Sequence, residues 1–352
     1  MFGMNDSTRA IRRRALRVPG GLVHCAGAVL VAMGAVLPRG GGAPRTTAPG
    51  LTYTVHCTIP NTTSRVDTGD GHPIEVPADW TATVTWANGR GRIDFANSFG
   101  GIFNILKDDY ILFDSTEFIV VQPHQHRFYP TGPVGLLAAY FLPGPGPDTA
   151  GRYDSLRVSV ESLPPAKIAD RATRHYQITT RYTHVTHAPG QGPEVFETTD
   201  VADYWLADTG VVPPNPFLAF VVRMDLGDLG QWVFAGSPFQ KRLWDTVSAV
   251  TDSLSHGRPV LKASRLELEA GIRAVLRDGA KARVTDNSVD DPAELEISAI
   301  GPANVDLSTL VLPDYLNEAD RYRDWLKDRF PGNPHLAATD AGAKWKMVPG
   351  GG

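Results

Sequence analysis

Along most of the chain, apolar residues recur at every second position, which is the pattern of half-buried strands. Leu51, Tyr53, Val55 and Cys57 share one face of a predicted strand. Trp80, Ala82, Val84 and Trp86 share one face of the next, with Thr81, Thr83 and Thr85 on the other. Asn88-Gly89 then supplies a tight turn, and Ile93 and Phe95 resume the alternation, so these two runs predict a hairpin. Further strands are predicted over Tyr110 to Phe113, Phe118 to Val121, Arg127 to Tyr129, Leu156 to Val160, Tyr176 to Tyr182 and Val195 to Trp205. Three more follow over Val260 to Ala270, Arg273 to Val284 and Glu294 to Ile300. Strands this close together, without helices between them, pair antiparallel with their neighbours.

Two segments change period. From Ser237 as N-cap and Pro238 at the first helical position, Phe239, Leu243, Val247, Val250 and Leu254 recur every three to four residues until Gly257. A second helix is predicted over Tyr315 to Phe330, with Leu316, Ala319, Tyr322, Leu326 and Phe330 on one side. Between Pro133 and the Pro143-to-Pro147 loop lies a short apolar run, Val134 to Leu142. It is too short to span a bilayer. It reads as a buried helix plugging one side of the sheet, or as a flap over an apolar groove.

The first fifty residues have a different character. Seven arginines, five of them before Leu22, face one acid, Asp6, and an apolar stretch runs from Leu22 to Leu37. A basic segment before a short hydrophobic one is the layout of a secretory signal; a buried core helix or an uncleaved anchor is the alternative. Arg12-Arg13-Arg14-Ala15-Leu16-Arg17 resembles a twin-arginine signal, with Ala15 where an aromatic is usual. Cys25 invites a lipoprotein reading, but His24 stands where a small residue is needed and most of the apolar run follows the cysteine. The expected organisation is a signal over 1–37, a Gly/Pro-rich linker over 38–50, one domain over 51–330 and a frayed tail over 331–352.

Charge narrows the partners. The chain carries 34 basic and 38 acidic residues; without its first fifty it keeps 27 and 37, a net charge of −10. So acidic a body has no electrostatic means of neutralising phosphates, so nucleic acid is not an expected partner. Cys57 is the one cysteine beyond the leader, so the domain is stabilised by its core rather than by an internal disulfide.

Common catalytic signatures are missing: no Gly-x-Ser-x-Gly, His-Glu-x-x-His, Walker loop, Cys-x-x-Cys pair or dinucleotide fingerprint occurs. His124 with His126, and His184 with His187, have spacings that metal ligands use. Both pairs border predicted turns and read as solvated turn histidines. Asp200, Asp203 and Asp208 around Tyr204-Trp205 suggest paired carboxylates of glycosidase type. They read equally as ordinary acids at a strand end.

The order of pieces carries a resemblance. It comprises the leader, the run of strands, Thr173-Arg174-His175-Tyr176-Gln177-Ile178, Asp203-Tyr204-Trp205, a helix closing on Gly257-Arg258-Pro259, and Val305-Asp306-Leu307-Ser308 before Leu312-Pro313-Asp314-Tyr315. This resembles uncharacterised bacterial secreted proteins of the DUF4412 kind, similar in layout to the lipoprotein carriers LolA and LolB. The resemblance implies a mainly β (α+β) fold in which a large curved antiparallel sheet, a half-barrel, wraps two or three helices. It also implies a non-enzymatic periplasmic or secreted binding protein without a cofactor or permanent membrane span. The expected ligand is a lipid or lipoprotein acyl chain, or another apolar molecule. Candidate lining residues are Trp80, Trp86, Tyr176, Tyr182, Leu136, Leu137, Phe141, Phe239, Leu243 and Val247. A structural envelope protein with a filled core is the alternative, and a hydrolase or metal enzyme of unfamiliar type the third. Fusing residues 1–50 to a reporter that works only outside the cytoplasm is expected to give an active reporter; retention inside the cell would remove the leader assignment.

Overall fold

The hairpin at Asn88-Gly89 forms as its sequence dictates. Strands β4 (Trp80–Ala87) and β5 (Arg90–Phe95) are joined by Asn88 at φ 49° and Gly89 at φ 80°. Two consecutive left-handed residues make the turn whose twist matches antiparallel strands. This hairpin lies within a 13-stranded sheet in a computed structural model. The residues described are 47–60, 62–66, 72–100, 104–133, 152–187, 193–208, 210, 212–224, 238–273, 284–286, 292–318 and 341–349. All of them belong to one unit, Pro44–Gly352. The leader assigned to 1–37 and the apolar run 134–142 lie outside the described residues.

The other strands are β1 (Thr47–Thr58), β2 (Thr63–Val66), β3 (Ile74–Pro77), β6 (Tyr110–Phe113), β7 (Glu117–Gln122) and β8 (Arg127–Pro133). The second half supplies β9 (Arg152–Ile168), β10 (Arg171–His187), β11 (Pro193–Ala207), β12 (Val260–Arg273), β13 (Val284–Asp286), β14 (Ala293–Asp306) and β15 (Asn317–Glu318). The order is β15-β8-β7-β6-β5-β4-β1-β14-β12-β11-β10-β9, with β13 beside β12, while β2 and β3 pair separately. Every pairing is antiparallel except that of β15 with β8. The end strands β15 and β9 do not pair, so the fold is a mainly β open sheet.

Among the described residues three α-helices accompany it: α1 (Pro216–Met224), α2 (Pro238–Ser255) and α3 (Ala341–Lys346). The sequence pattern predicts α2 but not α1, whose Phe-Leu-Ala-Phe-Val-Val run has no polar face. A helix apolar all round is one that is buried. Phe217, Leu218, Phe220, Val221 and Val222 are all in the core. The start signals are nonetheless present: the Asn215 side chain accepts from the Leu218 N–H at 3.1 Å, with Pro216 at the first helical position. Asn215 also donates to the hydroxyl of buried Tyr53 at 3.2 Å, tying α1 to the central strand β1. Phe217 meets Trp80, Phe95 and Phe118 at centroid distances of 6.2, 6.0 and 5.4 Å.

Strands β6 and β7 read as unbroken apolar runs because both of their faces are covered. Ile111, Phe113, Phe118 and Val120 join the main core with α1. Tyr110, Leu112, Ile119 and Val121 form a second cluster with Phe128, Leu312, Leu316 and Trp345. Burial there pushes the Tyr110 phenol up to about 12.

Three expectations are corrected. Residues 47–50 are not linker: β1 begins at Thr47 and pairs with β14 from the start, Thr47 opposite Asp306. Gly50 is required by close approach, since a Cβ there would lie 2.2 Å from the Trp86 carbonyl oxygen. The helix predicted from Tyr315 is not formed at its start, because Asn317 and Glu318 are the strand β15; residues 319–330 lie outside the described residues. The C-terminal segment is not frayed throughout, for Trp345 is fully buried. Its indole N–H donates to Glu117 at 3.2 Å, and Lys344 reaches Asp114 at 2.6 Å and Glu117 at 2.5 Å. Burial pulls the Lys344 ammonium down, but these carboxylates outweigh it and hold the group above its usual range. Arg90 adds hydrogen bonds to the carbonyls of Lys344 and Met347 at 2.7 and 2.6 Å. Of the strand predicted over 273–284 only the ends are described, as the last residue of β12 and the first of β13. Truncating Trp345→Ala empties a fully buried site and is expected to cost about 3–5 kcal/mol in urea unfolding; a loss below about 1 kcal/mol would show the segment is not part of the core.

Candidate functional site

The four long strands β9 to β12 carry the polar chemistry, and their period of two sorts it onto two faces. On β11, Asp200, Ala202 and Tyr204 are buried, while Asp203 and Trp205 alternate with them on the other face. The three acids therefore do not converge. Asp200 pairs with Arg265 in the interior, Asp203 with His175 outside, and Asp208 with Arg174 at the strand end. Paired-carboxylate chemistry has no geometry here.

On the outer face, His175 Nε2 lies 2.7 Å from Asp203 Oδ1, and Gln177 donates to the same carboxylate at 3.3 Å. The His175 ring stacks on Trp205 at 4.1 Å, and the Lys262 ammonium lies 5.6 Å from that indole. Lys262 reaches on to Glu294 at 3.1 Å and Glu296 at 3.0 Å. These carboxylates outweigh burial and raise the Lys262 ammonium above its ordinary range. The row crosses β10, β11, β12 and β14 and acts as cross-strand glue. Among the described residues no hydroxyl or thiol is hydrogen-bonded to His175.

The two remaining histidine pairs sit on different elements. His124 and His126 sit at a single 3₁₀ turn, Pro123–Gln125, as solvated turn histidines. His184 and His187 belong to β10 rather than to a turn. Among the described residues no group of three or more His, Cys, Asp or Glu is placed to hold a metal.

On the core face, a recess of 340 Å³ lies between the edge strand β9 and α2. Its apolar lining is Leu156 and Val158; Ser155, Arg242 and Thr246 are the polar part. That volume is at the small end of ligand pockets, which run from about 300 to 1,000 Å³. Behind it the sheet carries an unusual polar floor. Val158 is opposite Thr180 on β10, and Thr180 is opposite Asp200 on β11. One row along, Tyr182 is opposite Thr198. Thr180, Thr198 and Asp200 are at most 1 % exposed. Arg265 donates through Nη2 at 2.8 Å and Nε at 3.2 Å, both to Asp200 Oδ1. The other oxygen, Oδ2, and both threonine hydroxyls have no hydrogen-bond partner.

The residues singled out from sequence fall into four groups. Trp80 is 3 % exposed and enclosed by Phe95, Phe99 and Phe217, so its ring is occupied by core contacts. Trp86 is half-buried and stacks on Phe113 at 5.4 Å, across Gly91, where a Cβ would lie 2.3 Å from the Phe113 ring. Tyr182, Leu243 and Val247 are buried in the core and Tyr176 is half-buried. Phe239 falls in the first turn of α2, and Leu136, Leu137 and Phe141 lie outside the described residues. Among the described lining candidates, Trp80, Trp86, Tyr176, Tyr182, Leu243 and Val247 do not line the recess. The signal for the polar floor was present: Thr180 is in phase with Ile178 and Tyr182, and Asp200 with Ala202 and Tyr204, so each is a polar residue on a buried stripe.

No family model, curated protein or solved structure matches the chain. The class defined by the fold is a mainly β protein with one open, antiparallel-dominated sheet and few helices.

Because Asp200 is wholly buried, Arg265→Ala is expected to destabilise the protein by about 3–5 kcal/mol, leaving an uncompensated charge. The pair replacement Asp200→Leu with Arg265→Met is expected to recover most of that loss. Denaturant midpoints of the three proteins decide it; equal losses would mean that the ion pair is not what positions these strands.

Proposed function

We propose that the chain is an exported envelope protein that acts by binding rather than by catalysis, and that it takes an amphiphile at the recess between β9 and α2. The observation that carries this is the recess itself, which joins an apolar floor of Leu156 and Val158 to a polar rim of Ser155, Arg242 and Thr246. An apolar floor with few polar groups is the usual make-up of a small-molecule pocket. The basic, hydrophobic leader supports export, and a body of net charge −10 favours a freely diffusing binder over one held on anionic membranes. In this reading the sheet is a half-barrel around its helices, in the carrier layout that the sequence resembles.

A structural protein with a filled core is the second reading, and one observation favours it. The aromatic end of the core face, around Trp80, is filled by Phe217 and Phe220 of α1. The two readings differ in what the purified protein binds. Native mass spectrometry after gentle purification is expected to show a co-purifying lipid, and a fluorescent fatty-acid probe to bind. Thr246→Trp, which fills the recess from the helix side, is expected to weaken the probe at least about tenfold, or about 1.4 kcal/mol, with the melting temperature unchanged. A protein that carries no lipid and ignores the probe is structural.

A further inference from the structure

The Arg265–Asp200 pair ties β12 to β11, but it leaves three atoms of the buried polar floor without partners. A guanidinium and a carboxylate normally pair through two parallel bonds, one to each oxygen. Here both Arg265 donors go to Oδ1, which leaves Oδ2 of Asp200 in need of a hydrogen-bond donor. Beside it are two hydroxyls, those of Thr180 and Thr198, each able to donate and to accept, and each without a partner. Buried polar groups left unpaired are rare and costly, and three together on one face call for a shared partner.

One row of the sheet leads from the recess to two of these groups, and Thr198 lies on the next row. Val158, which lines the recess, opposes Thr180, and Thr180 opposes Asp200. At about 4.8 Å between strands, the threonine is one strand spacing from the recess lining and the carboxylate two. Resting on the binding role proposed above, we infer that Asp200, Thr180 and Thr198 receive a hydroxyl-bearing head group, so that the site prefers a neutral hydroxylated amphiphile to a free fatty acid. A ligand hydroxyl donates to Asp200 Oδ2 and accepts from a threonine. A carboxylate or phosphate would bring a second negative charge against the unpaired oxygen and supply no donor.

The test uses the purified full chain and three probes of equal chain length: 1-monooleoylglycerol, oleate and methyl oleate, the last having no donor. Monooleoylglycerol is expected to bind at least about tenfold more tightly than methyl oleate, the difference that one hydrogen bond to a charged group makes. Thr180→Val and Thr198→Val keep the side-chain shape. Each is expected to lower monooleoylglycerol affinity severalfold, to leave methyl oleate unchanged, and to keep or raise the melting temperature. Equal affinity for monooleoylglycerol and methyl oleate, or valine variants that bind monooleoylglycerol as the parent does, would overturn the head-group assignment while the recess stands. Tightest binding of oleate would overturn it as well. If none of the three binds, the binding role itself fails, and the head-group assignment falls with it.

Discussion

A broad antiparallel sheet with aromatic side chains on one face is stable only when that face is covered, and here α1 provides the cover. Phe217 and Phe220 meet Trp80, Phe95 and Phe118, and all five side chains are almost fully buried. At about 25 cal/mol per Å² of apolar surface removed from water, a cluster of large aromatics outweighs the entropy of ordering nine helical residues. The cap at Asn215 fixes where the helix begins, and its bond to Tyr53 fixes the helix against β1. Burial drives the Tyr53 phenol well above its usual range, with the Asn215 bond opposing, so this link carries no charge at ordinary pH. Cover on one side and the packing of Trp345, Leu312 and Leu316 on the other turn β6 and β7 into a doubly buried layer.

The two halves of the sheet are built differently. Around β4 to β8 the strands are short and the interior is almost wholly apolar. Over β9 to β12 the strands run to 14 residues or more, and the interior includes an ion pair and two unpaired hydroxyls. The aromatic half is filled by Phe217 and Phe220 of α1. The polar half is shallower in its apolar filling and borders the recess, which makes it the half in which chemistry can differ from packing.

Much of the fold was legible because period-two alternation reports a sheet with one buried face. Trp80 to Trp86 and its Asn-Gly turn formed in register, as did the amphipathic stripe of Leu243, Val247 and Val250. What escaped carries no readable apolar periodicity. That hid α1, and it hid the role of the last residues, where a Gly-Ala-Lys-Trp stretch of loop-like composition supplies one large anchoring side chain. The candidate site was less legible. Aromatic residues marked the interior correctly but proved to be core contacts, whereas the informative positions were polar residues in phase with apolar ones, Thr180 and Asp200. Asp200 and Asp203 also show how far three residues of separation reach in a strand, since they face opposite sides.

Cys57 sits near the end of β1, hydrogen-bonded on one side to β4 and on the other to β14, and is 1 % exposed. A thiol reacts as its thiolate and only where solvent reaches it. In an oxidising compartment an exposed single thiol would cross-link one molecule to another. Placed in the central strand, this sulfur meets an oxidant only when the strand parts from both neighbours. The redox safety of the molecule is thereby the same quantity as its resistance to unfolding.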